Sequence, residues 1–260
     1  MKYSLTIAWL YPELMSTYGD RGNVIVLQKR CEWRGIGVKI VPIEFRTTAR
    51  HLRSCDLVFG GGAQDRQQGI VIDDLRKNKG PVLHDMFETG IPGLFVCGAP
   101  QLLGHWYMTG DGTKLVGLGI FDMVTKHFGN DKPRCIGNLV ARISSRFTPA
   151  CAGRLPALRF HETIVGFENH GGRTYLGTGV EPFARVVQGY GNNGEDGTEG
   201  ALYKNCIATY SHGPFLPKNP HIADWLIAKA LEVKYNRLIR LVPLDNTWED
   251  QAHEEVLRNA

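Results

Sequence analysis

The sequence lacks several features that would assign a protein class at once. It has no uninterrupted apolar run of about 18 residues, the length a membrane-spanning helix needs. Its start, MKYSLTIAWLYPELM, has one lysine, a short apolar run and an early acid, unlike a signal peptide. Its 6 cysteines form no CxxC pair, which argues against a zinc site. We therefore expect a reduced, cytoplasmic protein with no transmembrane segment and no bound metal.

The sequence also has little excess charge. Its 30 basic and 26 acidic residues are interspersed and leave a formal net charge of +4. This excess is too small and too scattered to indicate a nucleic-acid partner, although a local basic patch facing an acidic ligand stays open. No GxxxxGK[ST] run is present, so the sequence gives no sign of a phosphate-binding loop for a nucleotide.

The first half of the chain alternates β-rich and helical segments. With 260 residues, 43% of them hydrophobic, the chain can form one large α/β domain or two small ones. The alternation favours βαβ units and a parallel sheet. The predicted strands are 3–10, 36–45, 54–60 and 93–97, and helices are predicted at about 22–34, 66–80, 81–90 and from 100 onward.

The second half has more glycine and shorter β-like runs. A polar, glycine-rich loop at 189–200 is either a lid, a docking surface or a flexible connection. A helix is predicted over 219–235, with Asn219 as its cap. Because no linker or repeat is visible, we predict one domain over 1–235 and a helical tail over 236–260 that packs on the domain or on a partner.

Cys97 ends a short apolar run and is followed at once by a Gly-Ala-Pro turn. Open α/β sheets bind ligands beyond the carboxyl ends of their strands, and Cys97 closes the fourth predicted strand. A tight strand-to-helix turn of this kind exposes a nucleophile, and the helix N-terminus favours the thiolate. The alternative is that Cys97 is a small buried hydrophobic residue, which is the commoner role for an isolated cysteine.

Three glycines are candidates for an oxyanion hole. The N–H of Gly98 follows the nucleophile directly, and a second N–H is expected from Gly61 or Gly62, at the end of the third strand. His212, after a β-like run at the far end of the domain, is the candidate base. Triple glycines are often simple turns and a single histidine is often structural, but three such features at strand ends favour catalysis.

Several blocks of this sequence resemble one enzyme family. The stretch VCGAPQLLG resembles the nucleophile motif of class I, triad-type glutamine amidotransferases of the cobyric-acid-synthase-like branch. More specifically, the blocks beginning at Leu10, Phe59, Gly166 and Gly191 resemble, in the same order, the glutaminase subunits of lipid II isoglutaminyl synthases. The resemblance extends from about residue 5 to 235. It implies a flavodoxin-like, three-layer α/β domain with a mostly parallel central sheet.

The resemblance also implies a reaction and a partner. Cys97 would attack the side-chain amide of L-glutamine, and His212 would protonate the leaving ammonia and later activate water. Gln101 occupies the position of a substrate-holding glutamine, and Arg134 that of the arginine that binds the glutamine carboxylate. A solvated surface charge is an equally good interpretation of Arg134. The ammonia would pass to a MurT-type, Mur-ligase-like subunit of a heterodimer, where ATP and Mg²⁺ are expected, to amidate D-glutamate in lipid II during peptidoglycan synthesis.

The orienting acid of His212 is missing from its usual place. Many class I relatives have an acid two residues after the histidine, where this chain has Pro214. The resemblance therefore implies a Cys–His dyad, completed either by an acid of the partner or by Glu162, which is equally well interpreted as a solvated loop charge. For Asp20 we favour an acid at a helix start over a pocket residue or a partner contact. In the block around His170, a β-turn is favoured over a second site element.

The turn after Cys97 also departs from the family pattern. Ala99 and Pro100 replace the usual Gly-Tyr pair. Ala99 adds a methyl group to a crowded place, and Pro100 suits the first turn of a helix, so the turn is expected to form. Three other functions stay open: the same glutaminase chemistry serving another synthetase, for example a corrinoid-type one, a catalytically weak partner-binding subunit, or a stand-alone cysteine hydrolase.

Overall fold

The computed structural model describes residues 2–129, 131–145, 147 and 161–260. A six-stranded sheet forms its centre, in the order β13-β14-β4-β3-β1-β2. Five of these strands are parallel, and β13 at the edge is antiparallel to β14. Its strands are β1 (Ser4–Leu10), β2 (Gly37–Ile43), β3 (Leu57–Gly60), β4 (Gly93–Val96), β13 (Ala201–Tyr203) and β14 (Cys206–Thr209).

Helices cover both faces of this sheet. The described helices are α1 (Arg21–Glu32), α2 (Ala49–Arg53), α3 (Asp65–Asp74), α4 (Gly80–Glu88), α5 (Gly98–Leu103), α6 (Pro220–Tyr235) and α7 (Thr247–Asn259). Successive side chains of β1 point to opposite faces, so Leu5 and Ile7 pack in the core that contains α1 and α6, whereas Ala8 and Leu10 pack in the core that contains α3 and α4. The predicted three-layer α/β fold with a mostly parallel sheet is confirmed.

Two smaller sheets extend the domain beyond the carboxyl ends of the central strands. One has the order β10-β7-β5-β6 and the other β12-β11-β8-β9. Their strands are β5 (Trp106–Met108), β6 (Lys114–Val116), β7 (Met123–His127), β8 (Cys135–Ile143), β9 (Thr163–His170), β10 (Gly172–Leu176), β11 (Ala184–Gln188) and β12 (Thr198–Glu199). The turn between β9 and β10 and the segment before β8 reach the edge at which β4 ends.

Two local predictions differ from the structure, and one segment whose role was left open is described by it. The helix after Cys97 ends at Leu103, and Trp106–Met108 continues as strand β5. Asn219 precedes α6 without capping it, because its side chain bonds to both backbone groups of Val165 and to the carbonyl of Phe215. Hydrogen bonds hold the loop 189–200 against the domain, since the buried carboxylate of Glu168 accepts the N–H groups of Tyr190 and Gly191.

The tail after α6 contains a helix, α7, that packs on the domain. The imidazole of its His253 bonds to the carbonyl of Lys218 at 2.7 Å and to the hydroxyl of Thr163 at 2.9 Å. His161 stacks on the same ring at 4.2 Å between centroids. Among the described residues, no helix combines the length and apolar character needed to cross a bilayer.

Candidate active site

Cys97 lies on a strained turn between β4 and α5. Its backbone has φ 53° and ψ −95°, and residues other than glycine rarely adopt a positive φ. The N–H of Cys97 is held by the carbonyl of Thr209 at 2.9 Å, across the neighbouring strand β14. Cys97 is 8% exposed and lines a cavity of about 400 Å³. Strand, strained residue and helix start together form the predicted nucleophile elbow.

Gly98 is required by the close approach of another loop. A Cβ atom at this position would lie 2.6 Å from the backbone nitrogen of Ala63 and 2.8 Å from its oxygen, too close for any side chain. Ala63 itself lines the cavity with Cys97. The peptide groups of Gly98 and Ala63 therefore lie side by side next to Cys97.

The imidazole of His212 is fully buried, and its Nδ1 lies 3.2 Å from Oδ1 of Asp20. Asp20 is also fully buried, and its Oδ2 accepts the N–H of Gly62 at 2.6 Å. The other ring nitrogen of His212, Nε2, has no hydrogen-bond partner of ordinary geometry in the described structure. Tyr18 packs edge-on against the ring, 5.1 Å between centroids, and separates it from solvent. Asp20 thus orients the imidazole and leaves Nε2 free to act.

The charges around His212 favour its protonated form. Burial by itself lowers the pKa of the ring, but the nearby sulfur of Cys97 and the hydrogen-bonded carboxylate of Asp20 outweigh it and raise the pKa to about 10. This effect requires the sulfur and the ring to be close together. The structure therefore brings together Cys97 and His212, which stand 115 positions apart in the sequence, counting from 97 to 212.

The structure gives Gly61 and Gly62 a different role from the expected one. The N–H of Gly62 is committed to Asp20, and neither glycine lines the cavity. A Cβ on Gly62 would lie 3.0 Å from Cε1 of His212, and one on Gly61 would lie 2.5 Å from the carbonyl of Met15. These glycines make room for the Asp20 loop, and the residue that follows them, Ala63, is the one that lines the cavity.

The structure also changes the assignment of the orienting acid. Asp20 stands at the cap position of α1 but its side chain makes no cap bond, so the favoured role as a helix-start acid is replaced by contact with His212. Glu162, the other within-chain candidate, is exposed. Pro214 packs against Gly22, where a Cβ would lie 2.4 Å from the proline Cγ. The start of α1 therefore occupies the space beside His212, and the acid comes from there.

Arg134 lies on the cavity wall, in the same cavity as Cys97. Its Nε and Nη2 bind Oδ1 of Asn169 at 3.0 and 2.9 Å, and Nη2 also binds the carbonyl of Asn169 at 3.0 Å. These contacts orient the guanidinium and leave Nη1 for a ligand. The carbonyl of Pro133 is held by the buried side chain of Arg173, which fixes the segment that carries Arg134.

Gln101 also lines the cavity, but much of its amide is already used. Its Oε1 accepts a bond from Gln68 at 2.7 Å, and its Nε2 donates to the hydroxyl of Tyr210 at 3.1 Å. Gln68 in turn donates to the carbonyl of Ala63 at 3.0 Å. Gln68 therefore links the peptide group beside the nucleophile to Gln101. Gln68 could not be identified from the sequence, because a single glutamine on a helix does not indicate which distant groups it will contact.

Further residues of the cavity wall come from both small sheets. His170 lines the wall at the turn between β9 and β10, so its block forms both the predicted turn and part of the site. The sequence pattern indicated Asn169 only as a turn residue, and it gave no sign of the groups on α3, β5 and β7 or of those just before α1 and α3. These newly found wall residues with polar side chains are Thr17, Gln64, Asp65, Arg66, Tyr107 and His127.

Comparison with known proteins finds a matching family model and similar proteins over nearly the full chain. A family model for the CobB/CobQ-like glutamine amidotransferase domain matches residues 6–220. The chain is 42% identical to the lipid II isoglutaminyl synthase (glutamine-hydrolyzing) subunit GatD of Staphylococcus aureus (strain N315), over 99% of this chain and 97% of that protein. It is 36% identical to the subunit of the same name from Streptococcus pneumoniae (strain ATCC BAA-255 / R6), over 97% of this chain and 90% of that protein.

Solved structures share the fold at much lower identity. The structure of PurLQS from Thermotoga maritima superposes with a TM-score of 0.58 and 16% sequence identity, covering 91% of this chain and 100% of that chain. At this level of identity the similarity concerns the fold alone.

Proposed function

Because the chain belongs to the CobB/CobQ-like glutamine amidotransferase family, we propose that it hydrolyses L-glutamine at Cys97 and supplies the ammonia to a ligase subunit. The observation that carries this proposal is the Cys97–His212–Asp20 arrangement, in which Cys97 lines a cavity of about 400 Å³. The cavity contains a nucleophile and a guanidinium, which are the groups that an amide-bearing amino acid requires.

In the proposed reaction, the sulfur of Cys97 attacks the side-chain amide carbon of glutamine. The N–H groups of Gly98 and Ala63 stabilise the negative oxygen of the tetrahedral intermediate. As the carbon–nitrogen bond breaks, the imidazolium of His212 gives its proton to the departing nitrogen, and ammonia leaves. A glutamyl thioester remains on Cys97. The raised pKa of His212 suits this step, because the ring enters it as the acid.

The second half of the reaction requires His212 to act as a base. Once the sulfur is acylated it carries no negative charge, so one of the two causes that raise the pKa of His212 disappears. The ring then accepts a proton from water through Nε2, and the hydroxide attacks the thioester carbon. The carbon–sulfur bond breaks, glutamate leaves, and Cys97 and His212 return to the thiolate and imidazolium with which the cycle began. The sum is glutamine plus water giving glutamate plus ammonia, with Asp20 orienting the ring throughout.

The names of the relatives suggest the acceptor. Both proteins named above are subunits of lipid II isoglutaminyl synthases. We propose that this chain likewise pairs with a MurT-type, Mur-ligase-like subunit, and that this partner uses ATP and Mg²⁺ to amidate the α-carboxylate of D-glutamate in lipid II. A cytoplasmic location belongs to the same proposal. The triad lies within one chain, so the partner is not needed to supply the orienting acid.

The test of this proposal uses the chain co-purified with its Mur-ligase-like partner. Amidation of lipid II is measured with glutamine or with an ammonium salt as the nitrogen source. Cys97→Ala should abolish the glutamine-dependent reaction and leave the ammonium-dependent one. Cys55→Ala is the matched control, because Cys55 is a buried thiol that precedes β3 at the opposite edge of the sheet.

Two outcomes contradict the proposal. If Cys97→Ala still uses glutamine, Cys97 is not the nucleophile. If the wild-type pair hydrolyses glutamine but amidates a corrinoid-type substrate and not lipid II, the chemistry holds and the proposed acceptor is replaced.

A further inference from the structure

The cavity beside Cys97 contains one carboxylate among its described wall residues, that of Asp65. The proposed substrate reacts at its side-chain amide, but its other end carries a carboxylate and an ammonium group. Arg134 accounts for the carboxylate. The group that binds the ammonium decides whether the site accepts a free amino acid or any primary amide of similar length.

Asp65 is held in place by two hydrogen bonds. Its Oδ1 accepts the hydroxyl of Tyr107 at 2.6 Å, and its Oδ2 accepts the N–H of Gly110 at 2.8 Å. A carboxylate oxygen accepts more than one bond, so each oxygen keeps capacity for a ligand. The side chain is therefore fixed in position and still able to bind a cation.

Tyr107 links Asp65 to the nucleophile. The phenol lines the same cavity, and burial, the bond to Asp65 and the negative charge of Cys97 all raise its pKa well above the ordinary value. Tyr107 thus lies within electrostatic range of the Cys97 sulfur and in contact with Asp65. The amide carbon and the α-carbon of glutamine are three bonds apart, and a substrate whose amide reaches Cys97 has its amino group near this wall.

Two amide oxygens and one ring nitrogen on the wall are already engaged. Oδ1 of Asn169 is bound by Arg134, and Oε1 of Gln101 is bound by Gln68. Nδ1 of His127 accepts the N–H of Gly129 at 2.9 Å, so its proton is on Nε2, which is a donor.

The imidazole of His170 is engaged through one nitrogen and buried at the other. Its Nδ1 bonds to the carbonyl of Gly172 at 2.8 Å, and its Nε2 is buried 3.6 Å from Glu168. Nε2 of His170 and Oε1 of Gln68 have no hydrogen-bond partner in the described part of the chain, but both atoms are buried away from the open part of the cavity. Asp65 is the one negatively charged acceptor among the described wall residues.

We propose that Asp65 binds the α-ammonium group of the substrate and makes the enzyme selective for a free amino acid. This inference rests on the proposed glutaminase function and names the residue that sets its substrate class. Arg66, the next residue of α3, also lines the cavity, so the wall carries an excess of positive charge without a ligand. A zwitterion matches this wall because its carboxylate faces a guanidinium and its ammonium faces Asp65.

The test compares L-glutamine with glutaramate, which has the same chain and amide but no amino group. Values of kcat/KM for ammonia release are measured for the wild type and for Asp65→Asn. The wild type should prefer glutamine by roughly 10- to 100-fold. In Asp65→Asn the preference should fall to about 1, because glutamine is used less well while glutaramate is used equally well.

Two further variants keep the test decisive. Asp73→Asn removes the same charge from the same helix, but Asp73 is exposed and outside the cavity, so the wild-type preference should remain. Asp65→Ser keeps a hydroxyl acceptor at the start of α3 and lacks the charge. If thermal unfolding shows that Asp65→Asn does not fold, Asp65→Ser should lose the preference in its place.

The outcomes separate this inference from the proposed function. An active enzyme whose folded, neutral variant at position 65 keeps the wild-type preference overturns the role of Asp65 alone. A wild-type enzyme that uses glutamine and glutaramate equally well also overturns the role of Asp65. A wild-type chain, with its partner present, that releases ammonia from neither amide overturns the glutaminase function and this inference with it.

Discussion

The carboxylate of Asp20 bonds to His212 through one oxygen, 3.2 Å from Nδ1, and to the N–H of Gly62 through the other at 2.6 Å. One buried side chain therefore connects the loop after β1, the glycines after β3 and the histidine after β14. Such a carboxylate fixes both the tautomer and the orientation of the imidazole, so that Nε2 faces the nucleophile.

Asp20→Asn should lower kcat for glutamine hydrolysis by roughly 100- to 10,000-fold, because an amide favours the wrong tautomer of His212. It should also lower the pKa of His212, since one of the causes of its increase is removed. Ammonia release as a function of pH measures both effects. The matched control is Glu162→Gln, which neutralises the exposed acid that the sequence offered as an orienter. Equal loss in both variants would contradict the assignment of Asp20.

Arg134→Lys should weaken substrate binding. A lysine keeps the charge but cannot hold Asn169 with two nitrogens while it presents a third to the ligand. We expect KM for glutamine to rise roughly 10- to 100-fold with kcat little changed. Steady-state kinetics measures KM and kcat separately. Lys132→Gln, in the same segment but outside the cavity wall, should behave as the wild type. A selective fall in kcat would instead place Arg134 in the chemical step.

Asp224→Ala should destabilise the fold strongly. Its carboxylate binds Arg30 through two bonds of 2.6 and 2.7 Å and Arg34 at 2.7 Å, and all three side chains are 1% exposed. Removing it leaves the buried guanidinium of Arg30 with the longer carboxylate contact to Glu249, at 3.6 Å, and deprives Arg34 of its carboxylate, which costs about 3–5 kcal/mol. Urea unfolding measures the change.

The comparison is Asp85→Ala, which breaks the exposed ion pair with Arg53. That variant should lose less than about 1 kcal/mol. Similar losses in the two variants would mean that the buried network adds nothing beyond a surface pair.

The stability of the protein should fall on acidification partly because of His253. Burial is the main cause that lowers the pKa of this ring to about 4, from an ordinary value of 6.5, and the stacked His161 adds to it. Between these two pH values the unfolded chain binds a proton that the folded chain does not. Stability is therefore fully present above pH 6.5 and falls by about 3 kcal/mol as the pH drops toward 4.

Charged groups around this ring act in both directions. Asp250 and Glu254 on α7 favour the protonated form of His253, whereas His161 opposes it. Replacing the imidazole, His253→Gln, should flatten the fall in the free energy of unfolding across this pH range. His105→Gln, which changes a half-exposed ring paired with Asp122, should leave the slope as in the wild type. Identical slopes in all three proteins would exclude His253 as a source.

The sequence alone determined the parts of the site that depend on neighbouring residues. An apolar run that ends at Cys97 and continues as Gly-Ala-Pro predicts a strand, a sharp turn and a helix start, and the structure has all three. Ala99, an unusual residue at this turn, fits because Gly60 faces it, where a Cβ would lie 2.9 Å from the Ala99 methyl group. Alternation of strands and helices was enough to predict a parallel sheet with the site at its carboxyl edge.

Only the tertiary structure decided which residues complete that site. Asp20 and His212 are 192 positions apart, and neither has a local pattern that names the other. They meet because the sheet order places β1, β3, β4 and β14 with their carboxyl ends at one edge, and because glycines at 61 and 62 let the loops approach. Periodicity and turn signals act over a few residues, whereas the order of strands and the closeness of loops are set by packing across the whole domain.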